Sequence, residues 1–167
     1  MYTNDESIQE LIKYADSGKI QLPDFQRGWV WDDERIKALI SSITQNFPVG
    51  AAMFLKYGNK NIRFKYHGIE GTVLEEDTIP EALILDGQQR LTSIYQALFC
   101  KKPVLTKTVK GQSIKRFYYI DIEKAINPSE DMLEAIISVP ENKMRTENFG
   151  KDIKLDVSTE EKEFEKK

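Results

Sequence analysis

The stretch Ala82–Phe99, ALILDGQQRLTSIYQALF, changes character twice within its length. Ala82, Leu83, Ile84 and Leu85 form an uncharged apolar run, as a buried strand requires. Leu91, Ile94, Tyr95, Leu98 and Phe99 then recur at offsets of three, four, seven and eight, the apolar stripe of a core-facing helix. Between them stand Asp86, Gly87, Gln88, Gln89 and Arg90. The spacing predicts a strand, a polar turn and a helix.

Such a joint has chemical potential. The first turn of a helix carries backbone N–H groups without internal partners, and the helix dipole adds partial positive charge. A strand that feeds this turn presents those groups at the carboxyl edge of a sheet, where anionic ligands bind. Gly87 has no Cβ, so backbone and ligand can approach closely. Arg90 offers a permanent cation with a planar fork of donors suited to phosphate. Asp86 can cap the helix, hold a metal or orient a water, and Gln88 and Gln89 bring amide donors and acceptors. A plain Asp-Gly helix start, with no ligand, accounts for part of the pattern. The chain contains no P-loop, because Gly-x-x-x-x-Gly-Lys-Ser/Thr occurs nowhere.

Composition narrows the classes. The 167 residues are 40% hydrophobic and 31% charged, which suits one globular domain with a core, or a domain plus a tail. The net charge of -3 argues against a broad non-specific nucleic-acid surface, while leaving room for a local basic patch. With one cysteine, Cys100, and one histidine, His67, the chain has no internal disulfide, cysteine-based zinc site or His-pair metal motif. His67 reads as a surface loop residue beside Gly68. No apolar run has the length of a membrane span, and the expectation is a cytoplasmic protein.

Upstream, Thr3–Ser17 reads as a helix capped by Asn4 or Asp5, and Ile20–Pro23 as extended. The block Leu22–Trp31 holds Phe25, Gln26, Arg27, Gly28, Trp29 and Trp31. At least two of Phe25, Trp29 and Trp31 are expected to pack the following helix onto the core; Gln26 and Arg27 suit a phosphate or a base better than packing. Asp32–Asn46 reads as a helix with Asp32, Asp33 and Glu34 in its first turn. Ala51–Tyr57 and Asn61–Tyr66 are expected to pair as a hairpin, followed by a polar loop over Gly68–Pro80. Lys101–Lys115 reads as a solvated loop or a basic patch, Arg116–Asp121 as a strand and Ile122–Asn127 as a short helix. Asp131–Val139 is mixed: Met132, Leu133, Ile136 and Ile137 fit a helix, while Ile136–Val139 also fits a pairing strand. Residues 1–140 are expected to form the domain. Residues 141–167 read as a polar extension, the start of a linker or further domain of a longer protein.

Two of these blocks together resemble a prokaryotic domain family. Pro23-x-Phe25-Gln26-Arg27-x-x-Val30-Trp31, followed by Leu85-Asp86-Gly87-Gln88-Gln89-Arg90-Leu91-Thr92, is similar to the N-terminal domains of GmrSD-type (Type IV) modification-dependent restriction enzymes and related phage-defence proteins. Phe47-Pro48-Val49-Gly50 fits the same pattern. The resemblance implies an α/β (α+β) fold, a ParB/sulfiredoxin-like small mixed sheet flanked by helices. In that superfamily a strand–Gly-x-x-Arg–helix joint binds nucleotide phosphates. It implies binding, and hydrolysis, of GTP or another nucleoside triphosphate with Mg²⁺, coupled to DNA restriction by an HNH-type nuclease domain or partner absent from this chain. The residues expected to act are Asp86, Gln88, Gln89 and Arg90 in catalysis, and Gln26, Arg27, Gly87, Arg90 and Thr92 in nucleotide binding. No protein metal site is expected. Where the family commonly has a tyrosine this chain has Trp29, so a role for that hydroxyl does not carry over. The alternatives are a nucleotide-gated DNA- or partner-binding module without significant turnover, and a ParB-like nuclease. The lack of a histidine set and of a carboxylate cluster beside Asp86 argues against the nuclease.

Overall fold

The computed structural model describes residues 6–58, 64–127, 129, 131–148, 151–159 and 162. In chain order the elements are α1 (Ile8–Asp16), β1 (Ile20–Pro23), α2 (Asp33–Thr44), β2 (Met53–Lys56), β3 (Tyr66–His67) and β4 (Ala82–Asp86). Helix α3 (Gln88–Ile94) continues as a wider π turn over Tyr95–Phe99. There follow β5 (Val104–Lys107), β6 (Ser113–Ile120), α4 (Ile122–Ala125), α5 (Met132–Ala135), β7 (Ile136–Pro140), β8 (Met144–Glu147) and β9 (Asp152–Asp156). The content is α+β. The chain divides into two compact units that alternate along it: Met1–Val30 with Val49–Cys100, and Trp31–Pro48 with Lys101–Lys167.

The first unit is built on a four-stranded mixed sheet in the order β2-β4-β1-β3. Strand β4 is inner, parallel to β1 through Ile20–Ala82 and Gln21–Leu83 and antiparallel to β2. Burial on both sides explains its apolar run: Leu83 and Ile84 are fully buried, as is Leu22 on β1. Helix α1 buries Ile12 and Ala15. Ser7 and Glu10 cap it reciprocally, so the helix starts after Ser7; Asn4 and Asp5, the expected caps, lie outside the described residues.

Two expectations fail in this unit. Strand β3 pairs with β1, through Leu22–His67 and Pro23–Tyr66, and not with β2 in a hairpin. Residues 61–63 of the expected strand lie outside the described residues. Of the three aromatics, Phe25 stands outside the core: it is 61% exposed and meets the ring of Phe64 edge-on at 5.2 Å. The helical stripe of the opening stretch is buried only at Leu91, Ile94 and Tyr95, because the π turn carries Leu98 and Phe99 outward.

The second unit carries the antiparallel sheet β5-β6-β7 and the hairpin β8-β9. Helix α2 is capped by Asp32 and buries Ile36, Leu39 and Ile40. Asp33, in its first turn, ties it to the sheet: one carboxylate oxygen accepts hydrogen bonds from the Tyr118 and Ser138 hydroxyls, each at 2.8 Å. Burial, and then the neighbouring Asp33 carboxylate, push the Tyr118 hydroxyl well above the usual tyrosine range. Lys101–Lys115 is not a loop throughout. Val104 and Thr106 are buried and alternate with exposed Leu105 and Lys107, so the segment forms an edge strand and the start of its partner. The hairpin β8-β9 falls where the sequence reads as a polar extension.

Candidate functional site

Strand β4 ends at Asp86 and helix α3 begins at Gln88, so Gly87 alone makes the joint. Its φ of 88° lies in the left-handed region, and a Cβ there would press on Ala52 at about 3.1 Å. Asp86 does not cap the helix. Among the described residues no side chain caps this N-terminus, so the N–H groups of its first turn are left to other partners.

Three short segments converge on the turn, and the motif side chains stitch them together. Gln26 Nε2 donates to the carbonyl of Leu85 at 2.9 Å. Gln88 Nε2 donates to the carbonyl of Arg27 at 2.6 Å. Gln89 donates to the carbonyl of Gly28 at 3.1 Å and accepts from the N–H of Val30 at 2.9 Å, so one amide pairs with the main chain in both directions. Trp29 closes the arrangement: its indole N–H donates to Ser93 Oγ at 2.9 Å and its backbone N–H to Glu70 Oε1 at 2.7 Å. The segment from Gln26 to Val30 is thereby held against the end of β4 and the start of α3.

Arg90 holds the third segment. Its guanidinium donates to the carbonyls of Val49 at 2.5 Å and Ala51 at 2.6 Å, and lies 3.5 Å from an Asp86 carboxylate oxygen. Gly50, between the two carbonyls, has φ of 92°, and a Cβ there would occupy the place of Arg90 Nη1. The residue suited by its charge to a phosphate thus spends two donors on the chain's own backbone.

The remaining candidates differ in access. Arg27 is exposed, and among the described residues its guanidinium has no carboxylate partner; only its carbonyl is engaged, by Gln88. Thr92 is fully buried one turn inside α3, and among the described residues its hydroxyl has no hydrogen-bond partner. Gln88 is 5% exposed, whereas the Asp86 side chain is 73% exposed. Sequence reading missed Glu70, whose carboxylate receives the Trp29 N–H; it sits in a polar loop with no pattern to mark it. An open groove of about 440 Å³ lies beside Asp24, Lys65, Tyr57, Phe64 and Tyr66. Among the described residues no group of three or more His, Cys, Asp and Glu could hold a metal ion, and no helix is long and apolar enough to cross a membrane.

The first unit is therefore a small mixed-sheet domain whose inner strand ends in a glycine turn laced to two neighbouring loops by glutamine and arginine side chains. Residues 8–167 match the family described as GmrSD restriction endonuclease, N-terminal domain, and the chain belongs to that family. An uncharacterized protein of Methanocaldococcus jannaschii is 32% identical over 130 residues, 75% of this chain and 22% of that protein. The chain thus spans about a fifth of the curated relative it matches. No solved structure matches the chain.

Proposed function

We propose that this chain is a nucleoside-triphosphate-binding regulatory domain of a DNA-restriction protein, with the phosphates at the Gly87 turn. One observation carries the reading: the side chain next to Gly87 grips the backbone of Arg27, through the bond from Gln88. This sets an exposed, unpaired guanidinium on a fixed backbone beside a helix start that lacks a side-chain cap. Arg27 neutralises charge on the phosphates, and the N–H groups of the first helical turn receive their oxygens. Gln26 lies beside base or sugar. Mg²⁺ supplies charge neutralisation on the phosphates when bound, and the exposed Asp86 fits it as a single carboxylate acting through water. In this reading the same carboxylate orients an attacking water. GTP or another triphosphate serves. The wider role is phage defence in the cytoplasm, where an HNH-type nuclease domain of the full-length protein, or a separate partner, cuts modified or foreign DNA.

A second reading has its own support. Gln88 and Gln89, two of the residues expected to act in catalysis, already bond the backbone of residues 27–30. That favours nucleotide as an effector, which loosens or tightens the Gln26–Val30 segment with little turnover.

Calorimetric titration with each nucleoside triphosphate and Mg²⁺ tests the proposal, with Arg27→Ala and Asp86→Asn beside the parent. Saturable binding, weakened about tenfold or more in Arg27→Ala at an unchanged urea midpoint, is the expected result. Binding by no nucleotide, or equal binding by Arg27→Ala, overturns it. Phosphate release below about a hundredth of a working NTPase rate, despite tight binding, selects the effector reading.

A further inference from the structure

Charge in this chain is segregated. Between Asp86 and Asp121 there is no Asp or Glu, while Arg90, Lys101, Lys102, Lys107, Lys110, Lys115 and Arg116 all fall there. The whole chain has 24 Lys and Arg against 27 Asp and Glu, so removing those seven leaves 17 against 27 elsewhere, a net charge of -10. Six of the seven belong to the β5-β6 hairpin and the two residues that lead into it.

Within the second unit, Lys101, Lys102, Lys107 and Lys110 are all exposed, and among the described residues none has a carboxylate partner. Lys115 alone is paired, with Glu141 at 2.8 Å. The platform beneath is fixed. Val104 and Thr106 are each 2% exposed, and Thr106 Oγ1 donates to the carbonyl of Trp31 at 2.7 Å. The outward face carries Leu105 and Lys107, and the turn at the tip carries Val109 and Lys110, with Val109 81% exposed. Two ordinary explanations fall short. Lysines on an edge strand block unwanted pairing, but that accounts only for Lys107, since the others lie off the strand. A merely solvated surface mixes both signs, as the rest of this chain does.

We infer that the β5-β6 hairpin is a contact surface for the phosphate backbone of duplex DNA. Lys107 and Lys110 on the anchored hairpin, with Lys101 and Lys102 leading into it, offer four ammonium groups to phosphates without base readout, so binding is independent of sequence. The segregation along the sequence concentrates positive charge here in an acidic chain; the carboxylates beside the hairpin are Glu141, paired with Lys115, and Asp32, whose backbone bridges to Lys107. The inference needs no nucleotide and is independent of the Gly87 turn.

The test is fluorescence anisotropy of a labelled 20-base-pair duplex across 50 to 200 mM salt, without nucleotide. If each of the four lysines meets one phosphate, the slope of log affinity against log salt is about -3.6, and affinity falls about 150-fold over that range. Replacing Lys101, Lys102, Lys107 and Lys110 together by Gln should bring the slope close to zero. Replacing Lys13, Lys19, Lys56 and Lys154 by Gln changes net charge equally and should leave the slope within about one of the parent. Circular dichroism confirms that both variants fold. No duplex binding at 50 mM salt overturns the inference, as does an equal loss in the two variants. Binding of single-stranded RNA but not of the duplex also overturns it.

Discussion

Removing the Arg90 side chain should destabilise this protein even when no ligand is present. The guanidinium donates to Val49 and Ala51 at 2.5 and 2.6 Å. Hydrogen bonds from a charged donor contribute ~1.5–3 kcal/mol each, so ~3–6 kcal/mol is the upper bound for Arg90→Ala. The Val49 bond is partly buried, but the Ala51 bond faces solvent, where water can replace the donor. The expected loss is therefore about 3 kcal/mol. The neighbouring ion pair adds little: the Asp86 side chain is 73% exposed and 3.5 Å away. Exposed pairs of that kind contribute ~0–1 kcal/mol, so Asp86→Ala should cost under about 1 kcal/mol. Arg90→Lys keeps the charge but not the fork and should fall between, at about 1.5 kcal/mol. Urea unfolding of the three variants, read at constant m, gives the values. An Arg90→Ala variant within about 0.5 kcal/mol of the parent would refute the clamp, as would equal losses for Arg90→Ala and Asp86→Ala. A group that served only to meet a phosphate would leave the ligand-free protein unchanged.

Gly50→Ala should cost about 2 kcal/mol, from its positive φ and from displacement of Arg90 Nη1. Combined with Arg90→Ala it should cost less than the sum, which a double-mutant cycle measures. Asp33→Ala removes the shared acceptor of Tyr118 and Ser138; a loss of about 2 kcal/mol in urea unfolding is expected. The Asp156 carboxyl, hydrogen-bonded by Lys162 and Ser158, is lowered to a pKa of about 2. Since the folded value lies below the ordinary one of 3.8, its contribution is present above pH 4 and is lost as the pH falls toward 2. Carbon-detected NMR titration should show that midpoint in the parent and a higher one in Lys162→Ala.

The opening stretch was readable because its two periodicities do not overlap: an apolar run can only be buried on both faces, and a spacing of three and four suits only a helix. Its joint was harder to place. Polar residues end a strand, make a turn or begin a helix equally well, and here Gly87 alone makes the turn. Strand pairing was less legible. Neighbouring strands usually pair, yet β3 crosses to β1, which sets His67 opposite Leu22. Strand β5 shows only two buried positions between lysines, too few for a pattern. The convergence of the Gln26 and Gln88 blocks follows from the family pattern, but the direction of their amides does not. A glutamine serves a ligand or its own backbone with the same atoms, and only packing decides which.

The interleaving of the two units has a consequence for synthesis. Strand β1 must wait for β4, which leaves the ribosome some sixty residues later, before its parallel partner exists. Helix α2, made in the interval, carries buried Ile36, Leu39 and Ile40 but belongs with strands beyond Lys101, and Asp33 waits for Ser138. Neither unit can therefore be completed while the nascent chain is still short, and a release at Cys100 would leave the apolar face of α2 without its sheet. A chain with this order of assembly is exposed to premature association during translation, and a holding chaperone should raise its soluble yield more than lower temperature alone.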